Sequence, residues 1–259
     1  MTDAARTTKA PRMTIWLGLL AVLLVGGPLL NLAIGRASVG GNWRTASQRP
    51  AGLAPDPADN REAIVQVYAS RAYSWRGAFA DHTWLAAKAA GADHYTRYEV
   101  IGWYGGNGRS VVSISEDRAP DGLWFGATPR LIGDIRGPVA QEVIAGLPRA
   151  IASYRYGSTY RAWPGPNSNT FLAHLGRQLP ALALTLPSTA IGKDYLPLTE
   201  PLARTPSGTG IQLSLLGVLG VSAGLDEGLE VNVLGLVTGI DFRRPALKLP
   251  GIGRIPGDG

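Results

Sequence analysis

The sequence contains no cysteine. That excludes disulfides, thiolate metal sites and cysteine nucleophiles. It leaves the compartment open, because an oxidising space does not require cysteine. Histidine is scarce as well: His82, His94 and His174 are the only three. Their spacing fits no metal-ligand pattern, so no metal site is expected, and no other residue set calls for a cofactor. There is also no run of five or six Lys/Arg and no basic stretch interleaved with aromatics. The net charge of +6 comes from scattered arginines, which reads as a solvated surface near a membrane and argues against a nucleic-acid partner. Attraction to anionic lipid headgroups is the alternative use of that charge.

Charged residues make up only 17% of the chain and hydrophobic ones 45%. A core can be filled, and wholesale disorder is excluded. Glycine (34) and proline (19) are plentiful, which favours turns and short strands over a helical bundle. The longest apolar run is Ile15 to Ile34, IWLGLLAVLLVGGPLLNLAI, uncharged and with Asn31 as its only strongly polar side chain. About 20 residues at 1.5 Å rise match a hydrocarbon core about 30 Å thick. Gly26, Gly27 and Pro28 interrupt the run in a way membrane helices tolerate. Arg6, Lys9 and Arg12 precede it, with only Asp3 opposing, so the chain is expected to run from cytoplasm to exterior. The residues favour an uncleaved anchor; a signal peptide cleaved near Gly35 and Ala37 is the competing reading. The resulting division is a cytoplasmic segment 1–14, a span 15–35, a Gly/Pro/Ala-rich linker 36–60 and one extracytoplasmic domain 61–259. That places the protein in a bacterial inner membrane as a single-pass species, with the lipid bilayer as its first partner.

Within the domain, EAIVQVYA (62–69) alternates as a strand, and a second strand is expected around His82. YEVIGW (98–103) and RSVVSIS (109–115) are further strands, separated by the Gly-Gly-Asn-Gly turn at 105–108. Together they predict an antiparallel sheet of three or four strands. Residues 137–153 carry apolar side chains at helical spacing, with Pro138 suited to the first turn and Pro148 expected to kink or divide the helix. TFLAHLGRQ (170–178) is a second helix, with Asn167, Ser168 or Asn169 as its cap. The glycine-studded stretch 210–236 reads as buried strands rather than a second membrane span, because Asp226, Glu227 and Glu230 interrupt it. The tail 245–259 reads as extended and partly exposed.

One constellation carries chemistry. A hydroxyl at a helix N-terminus gains from the positive end of the dipole, and free N–H groups there can hold an oxyanion. Ser168 stands at such a place, and His82 on an upstream strand can act as base. Glu99 is the candidate to orient His82, with Tyr98 as the competing inward residue. The string WPGPNSNTF (163–171) resembles the Asn-Cys-Asn-x-Phe segment of circularly permuted papain-like folds. These include deSUMOylating-type peptidases, lecithin retinol acyltransferase-like proteins and NlpC-type relatives. In that permuted order the histidine strand precedes the nucleophile helix, as His82 precedes Ser168. The resemblance implies roles for His82 and Ser168, but serine stands at the family's cysteine position, and its higher pKa makes it harder to activate.

HTW (82–84), YEVIGW, PDGLWFG (120–126), WPGPNSNTF, IGKDY (191–195) and GIDFRRPALKLPGIGR (239–254) also resemble a bacterial membrane family, domain of unknown function 3750. That resemblance implies membrane association and no established activity.

Plainer readings stand beside these. Ser168 can be only a cap, and His82 a hydrogen-bonded core residue. Trp84, Trp103, Trp124 and Trp163 can be core or can line a cleft with Asn167 and Asn169. His174 is expected to pack within its helix, His94 to lie exposed in a turn, Asp121 to support its own turn, and Lys193–Asp194 to be a surface pair. The overall expectation is an α+β domain, an antiparallel sheet with packed helices of permuted papain-like type, behind one transmembrane helix. Its first functional reading is a non-catalytic envelope module whose cleft binds peptidoglycan peptide, lipid or an envelope protein. The alternative is a serine-dependent hydrolase or acyltransferase using Ser168, His82 and Glu99.

Overall fold

The computed structural model describes residues 10–37, 40, 42–105 and 109–257. It is an α+β structure with two antiparallel sheets, and the expected turn at 105–108 lies largely outside the described residues. Helix α1 (Ala10–Ala33) contains, over Met13–Ala33, the one segment among the described residues long and apolar enough to cross a membrane. Its Asn31 does not face lipid. The side chain is buried and donates to the carbonyls of Ala78 (3.0 Å) and Gly251 (2.7 Å). Gly27 lets the backbone pass against Pro250 and Ile252, where a Cβ would sit 2.2 Å from the Pro250 carbonyl oxygen. The helix is thereby fastened to the domain near its C-terminal end.

The first sheet has the order β4-β3-β2-β1-β5. Its strands are β1 (Ile64–Arg71), β2 (Asp81–Lys88), β3 (Thr96–Val100), β4 (Val112–Ser115) and β5 (Arg130–Arg136). Strand β5, with Arg, Gly and Asp along its length, was not expected from the sequence; it is a half-solvated edge without a strong apolar alternation. YEVIGW does not remain extended to Trp103: β3 ends at Val100, and a short 3-10 turn at Gly102–Tyr104 turns Trp103 outward. One sheet face presents Val65, Val67, Leu85 and Ala87 to helices α2 (Gly137–Ala152) and α3 (Ser168–Gln178). Pro148 does not divide α2, which runs unbroken through it. It points to solvent between buried Leu147 and Ala150, whose packing holds the turn despite the missing N–H. The other face carries Ile64, Tyr68, Trp84 and Ala86 under Trp124 and the loop around it. Residues 47–54, from the linker, run along that loop: Ser47 and Arg49 carbonyls accept from Gly126 and Leu123, and Asp121 accepts from the amides of Leu53 (2.5 Å) and Ala54 (3.2 Å). Asp121 therefore holds the linker rather than its own turn, because the incoming backbone brings unpaired N–H groups to a buried carboxylate.

The second sheet is a seven-stranded meander, β6 (Leu202–Arg204), β7 (Gly210–Leu215), β8 (Leu219–Gly224), β9 (Gly228–Val233), β10 (Leu236–Asp241), β11 (Ala246–Leu249) and β12 (Gly253–Ile255). The expectation of buried apolar strands is corrected in an instructive way. The alternation places Gln212, Ser214, Ser222, Glu230, Asn232 and Lys248 on the buried face, with Val237 of β10 beside them, and most of the leucines and valines on the exposed one. The tail is extended and partly exposed, as expected, and its extended pieces pair into the sheet as β11 and β12.

Candidate functional site

His82, Trp84, Arg97 and Glu99 share one face of the first sheet, as strand alternation on β2 and β3 requires. His82 Nε2 lies 2.8 Å from Glu99 Oε2. Glu99 is itself clamped: Arg97 Nε is 2.8 Å and Arg118 Nη1 3.0 Å from its other oxygen. Burial opposes the charge on Glu99, but Arg97, then His82 and Arg118, outweigh it and bring the carboxyl down to about 2. Burial is also the largest influence on His82 and lowers its pKa, with the bond to Glu99 pulling the other way. The imidazole stacks on Trp124 at 3.6 Å between centroids and 11° between planes. Arg97 in turn lies over Trp84, 4.0 Å from its ring centre. His82 is thus held flat, with one nitrogen committed to a carboxylate and Nδ1 left for other use.

The N-terminus of α3 meets the start of β2. Asn167 caps the helix, its oxygen accepting from the amides of Asn169 (2.9 Å) and Thr170 (3.2 Å), while Thr170 Oγ1 accepts from the Asn167 amide (3.1 Å). Asn169 donates to the carbonyls of Asp81 (2.9 Å) and Ile191 (2.7 Å) and accepts from Thr83 Oγ1 (2.8 Å). These bonds straddle His82 in sequence and fix the helix start against its strand. Gly192 is required beneath the cap: φ is +99°, and a Cβ would come within 2.4 Å of the Asn167 amide. Ser168 is the first residue of α3. Among the described residues its hydroxyl and its backbone N–H engage no partner, and no hydrogen bond joins it to His82.

Ser168, Asn167 and His82 line one cavity of about 800 Å³. Nine aromatic side chains line its walls: Trp43, Tyr73, Trp75, Phe79, Trp103, Trp124, Phe125, Tyr160 and Trp163. Trp163 donates to the Leu234 carbonyl (2.8 Å), so the β9–β10 hairpin of the second sheet forms part of the rim. The 3-10 turn Ser74–Ala78, which supplies Trp75 and Arg76, is the same turn whose Ala78 carbonyl receives Asn31 of α1.

Of the residues singled out in the sequence, Ser168, His82, Asn167, Trp103, Trp124 and Trp163 reach this cavity. Glu99 stands behind His82. Asn169 lies beneath the helix start, and Trp84 is fully buried, stacked on Tyr68, with its indole N–H on the Pro120 carbonyl. His174 joins α3 to α2 through the Ala150 carbonyl (2.9 Å), and His94 is exposed beside Asp93. Lys193 and Asp194 are not a surface pair. Both are buried between the sheets, Lys193 bridging Asp194 (3.3 Å) and Glu230, while Asp194 accepts from Asn232 (3.0 Å). The polar inner face of the second sheet supplies partners that one local string could not reveal. Arg97 and Arg118 were missed; the i, i+2 spacing of Arg97 and Glu99 was the available signal for the first. Among the described residues no group of three or more acidic or histidine side chains is placed to hold a metal.

The family described as "Protein of unknown function (DUF3750)" matches residues 62–195. The match covers the first sheet, α2, α3 and the His82–Ser168 region, and the chain belongs to that family. No curated protein and no solved structure matches.

Proposed function

We propose that this chain is a membrane-anchored serine acyl hydrolase or acyltransferase of permuted papain-like type, facing the envelope side of a bacterial inner membrane. The observation that carries the reading is a shared cavity: a histidine clamped by a buried carboxylate and an unengaged serine at a capped helix start open into the same apolar space. Ser168 Oγ attacks the carbonyl carbon of an ester or amide and gives its proton to His82 Nδ1. The Ser168 N–H, free because Asn167 takes the next two amides, is a donor for the oxyanion. Collapse of the tetrahedral species breaks the bond to the leaving alcohol or amine, which takes the proton from His82. Water, or a second hydroxyl or amine, then attacks the acyl-serine with His82 again as base. Glu99, kept ionised by Arg97 and Arg118, holds the imidazole in place throughout.

The wall chemistry selects the substrate. A cavity lined by nine aromatic side chains suits an acyl chain better than a peptidoglycan peptide. Full-length protein in detergent, assayed on p-nitrophenyl esters of increasing chain length, is expected to show kcat/KM rising by about three- to fourfold per buried methylene. Activity is expected to vanish in Ser168→Ala. No hydrolysis at any chain length, or hydrolysis that survives Ser168→Ala, would overturn the catalytic reading. A second reading, a non-catalytic cleft for lipid or an envelope protein, is favoured by the lack of a hydrogen bond between Ser168 and His82. It predicts chain-length-dependent binding without turnover.

A further inference from the structure

The second sheet is inside out for a protein surrounded by water. The register aligns Ile211, Ala223, Leu229, Ile240, Leu247 and Ile255 in one row across six strands. A parallel row holds Leu202, Leu213, Val221 and Val231. All ten side chains are exposed, Leu202 at 64% and Ile211 at 63%, whereas Gln212 between the rows is 1% exposed. Six strands at about 4.8 Å spacing make an apolar face about 24 Å wide. Patches of that extent on soluble proteins mark an interaction surface.

The anchor indicates what covers it. Helix α1 touches the domain at Gly27, Pro28 and Asn31, all inside the apolar span Met13–Ala33. At 1.5 Å per residue, Gly27 lies about 9 Å below the end of that span. The partners are Pro250 and Ile252 for Gly27 and Gly251 for Pro28 and Asn31, all in the turn that joins β11 to β12. Strands β11 and β12 therefore leave from a point below the end of the apolar span, and the longer apolar row ends on them, at Leu247 and Ile255. We infer that the outer face of this sheet is a membrane-contact surface, lying in the interfacial layer with its leucines and valines about 5–10 Å into the acyl boundary, the depth reached by amphipathic helices. An interfacial position leaves the open edges β6 and β12 at headgroup level, where unpaired backbone groups still reach water. The polar row then serves as the domain-facing side, with Glu230 paired to both Lys193 and Lys248. This inference rests on α1 spanning the bilayer and not on the serine chemistry.

The absence of cysteine permits a direct test. Spin labels are placed singly on the full-length protein in lipid nanodiscs through Leu213→Cys, Val221→Cys and Leu229→Cys, with Val22→Cys in the anchor and Glu142→Cys on exposed α2 as references. Power saturation compares access to oxygen, which partitions into lipid, with access to a water-soluble nickel chelate. The three sheet positions are expected to resemble Val22, with an oxygen-to-nickel ratio severalfold above that at Glu142. Sheet labels that behave like Glu142 while Val22 reports lipid would overturn the inference. Dipolar broadening between sheet labels that persists on dilution with unlabelled lipid would assign the face to a second copy and overturn it as well. A Val22 label open to nickel would instead defeat the anchor on which the inference stands.

Discussion

The two sheets of this molecule obey the same alternation with opposite sign. In the first, apolar residues face helices α2 and α3 or the Trp124 loop, and the ionisable groups His82, Glu99 and Arg97 are gathered at one end beside a cavity. In the second, the inward face is built from Lys, Glu, Asn, Gln and Ser, and the outward face from Leu, Ile and Val. Period-two alternation specifies only that the two faces differ. Which face turns inward depends on what lies on each side. A polar sheet face can be buried when its groups pair with one another, as Lys193, Asp194, Glu230, Asn232 and Lys248 do.

The sharpest way to break the comparison is to remove one inward charge from the second sheet. Glu230→Ala leaves Lys193 and Lys248 buried without their carboxylate and is expected to cost about 3–5 kcal/mol, read by chemical denaturation in detergent. In the first sheet the corresponding inward position is apolar. Leu85→Ala should cost about 2–5 kcal/mol through the cavity it opens under α3. Asn31→Leu removes two hydrogen bonds and leaves the carbonyls of Ala78 and Gly251 without their donor; about 1–3 kcal/mol is expected, with faster proteolysis of the 74–78 turn. The smallest effect is predicted for Leu213→Ala on the outward face, within about 0.5 kcal/mol in detergent. If Leu213→Ala proved as damaging as Leu85→Ala, the second sheet would have an apolar core after all.

Acid should distinguish the cavity end of the first sheet. The folded pKa of His82 is below its ordinary value, so the unfolded chain takes up that proton first and stability declines as pH falls below about 6.5. Glu99 is depressed to about 2, so its contribution is present above the ordinary carboxylate range and is lost as pH falls through 2. His82→Gln should flatten the upper part of that decline, measured as Tm against pH. An unchanged profile would mean that His82 is not held neutral by burial.

Much of this was legible in the chain because the signals were local. The run Ile15–Ile34 is by itself long and apolar enough for a membrane-crossing helix, and the cap of α3 was narrowed to Asn167, Ser168 or Asn169, of which the structure uses Asn167. Glu99 could be named as a partner for His82, but alternation alone left Tyr98 as its competitor, and the register of β2 on β3 decides between them. Other features depend on distant partners. Asn31 looked like a flaw in an apolar helix, yet its partners come from residues 78 and 251. Lys193 and Asp194 looked solvated until Glu230 and Lys248 arrived from another sheet. The inversion of the second sheet was present in GIQLSL, where every second residue is polar or glycine. Its leucines and glycines read as core because an apolar run is ordinarily buried.

The central claim is that Ser168 is a nucleophile activated by His82. It is tested most directly by treating full-length protein with an alkyl fluorophosphonate and mapping the adduct by mass spectrometry. The account predicts one adduct, on Ser168, absent in Ser168→Ala and formed far more slowly in His82→Ala. No adduct in the folded protein, or labelling of Ser168 at the same rate without His82, would contradict it.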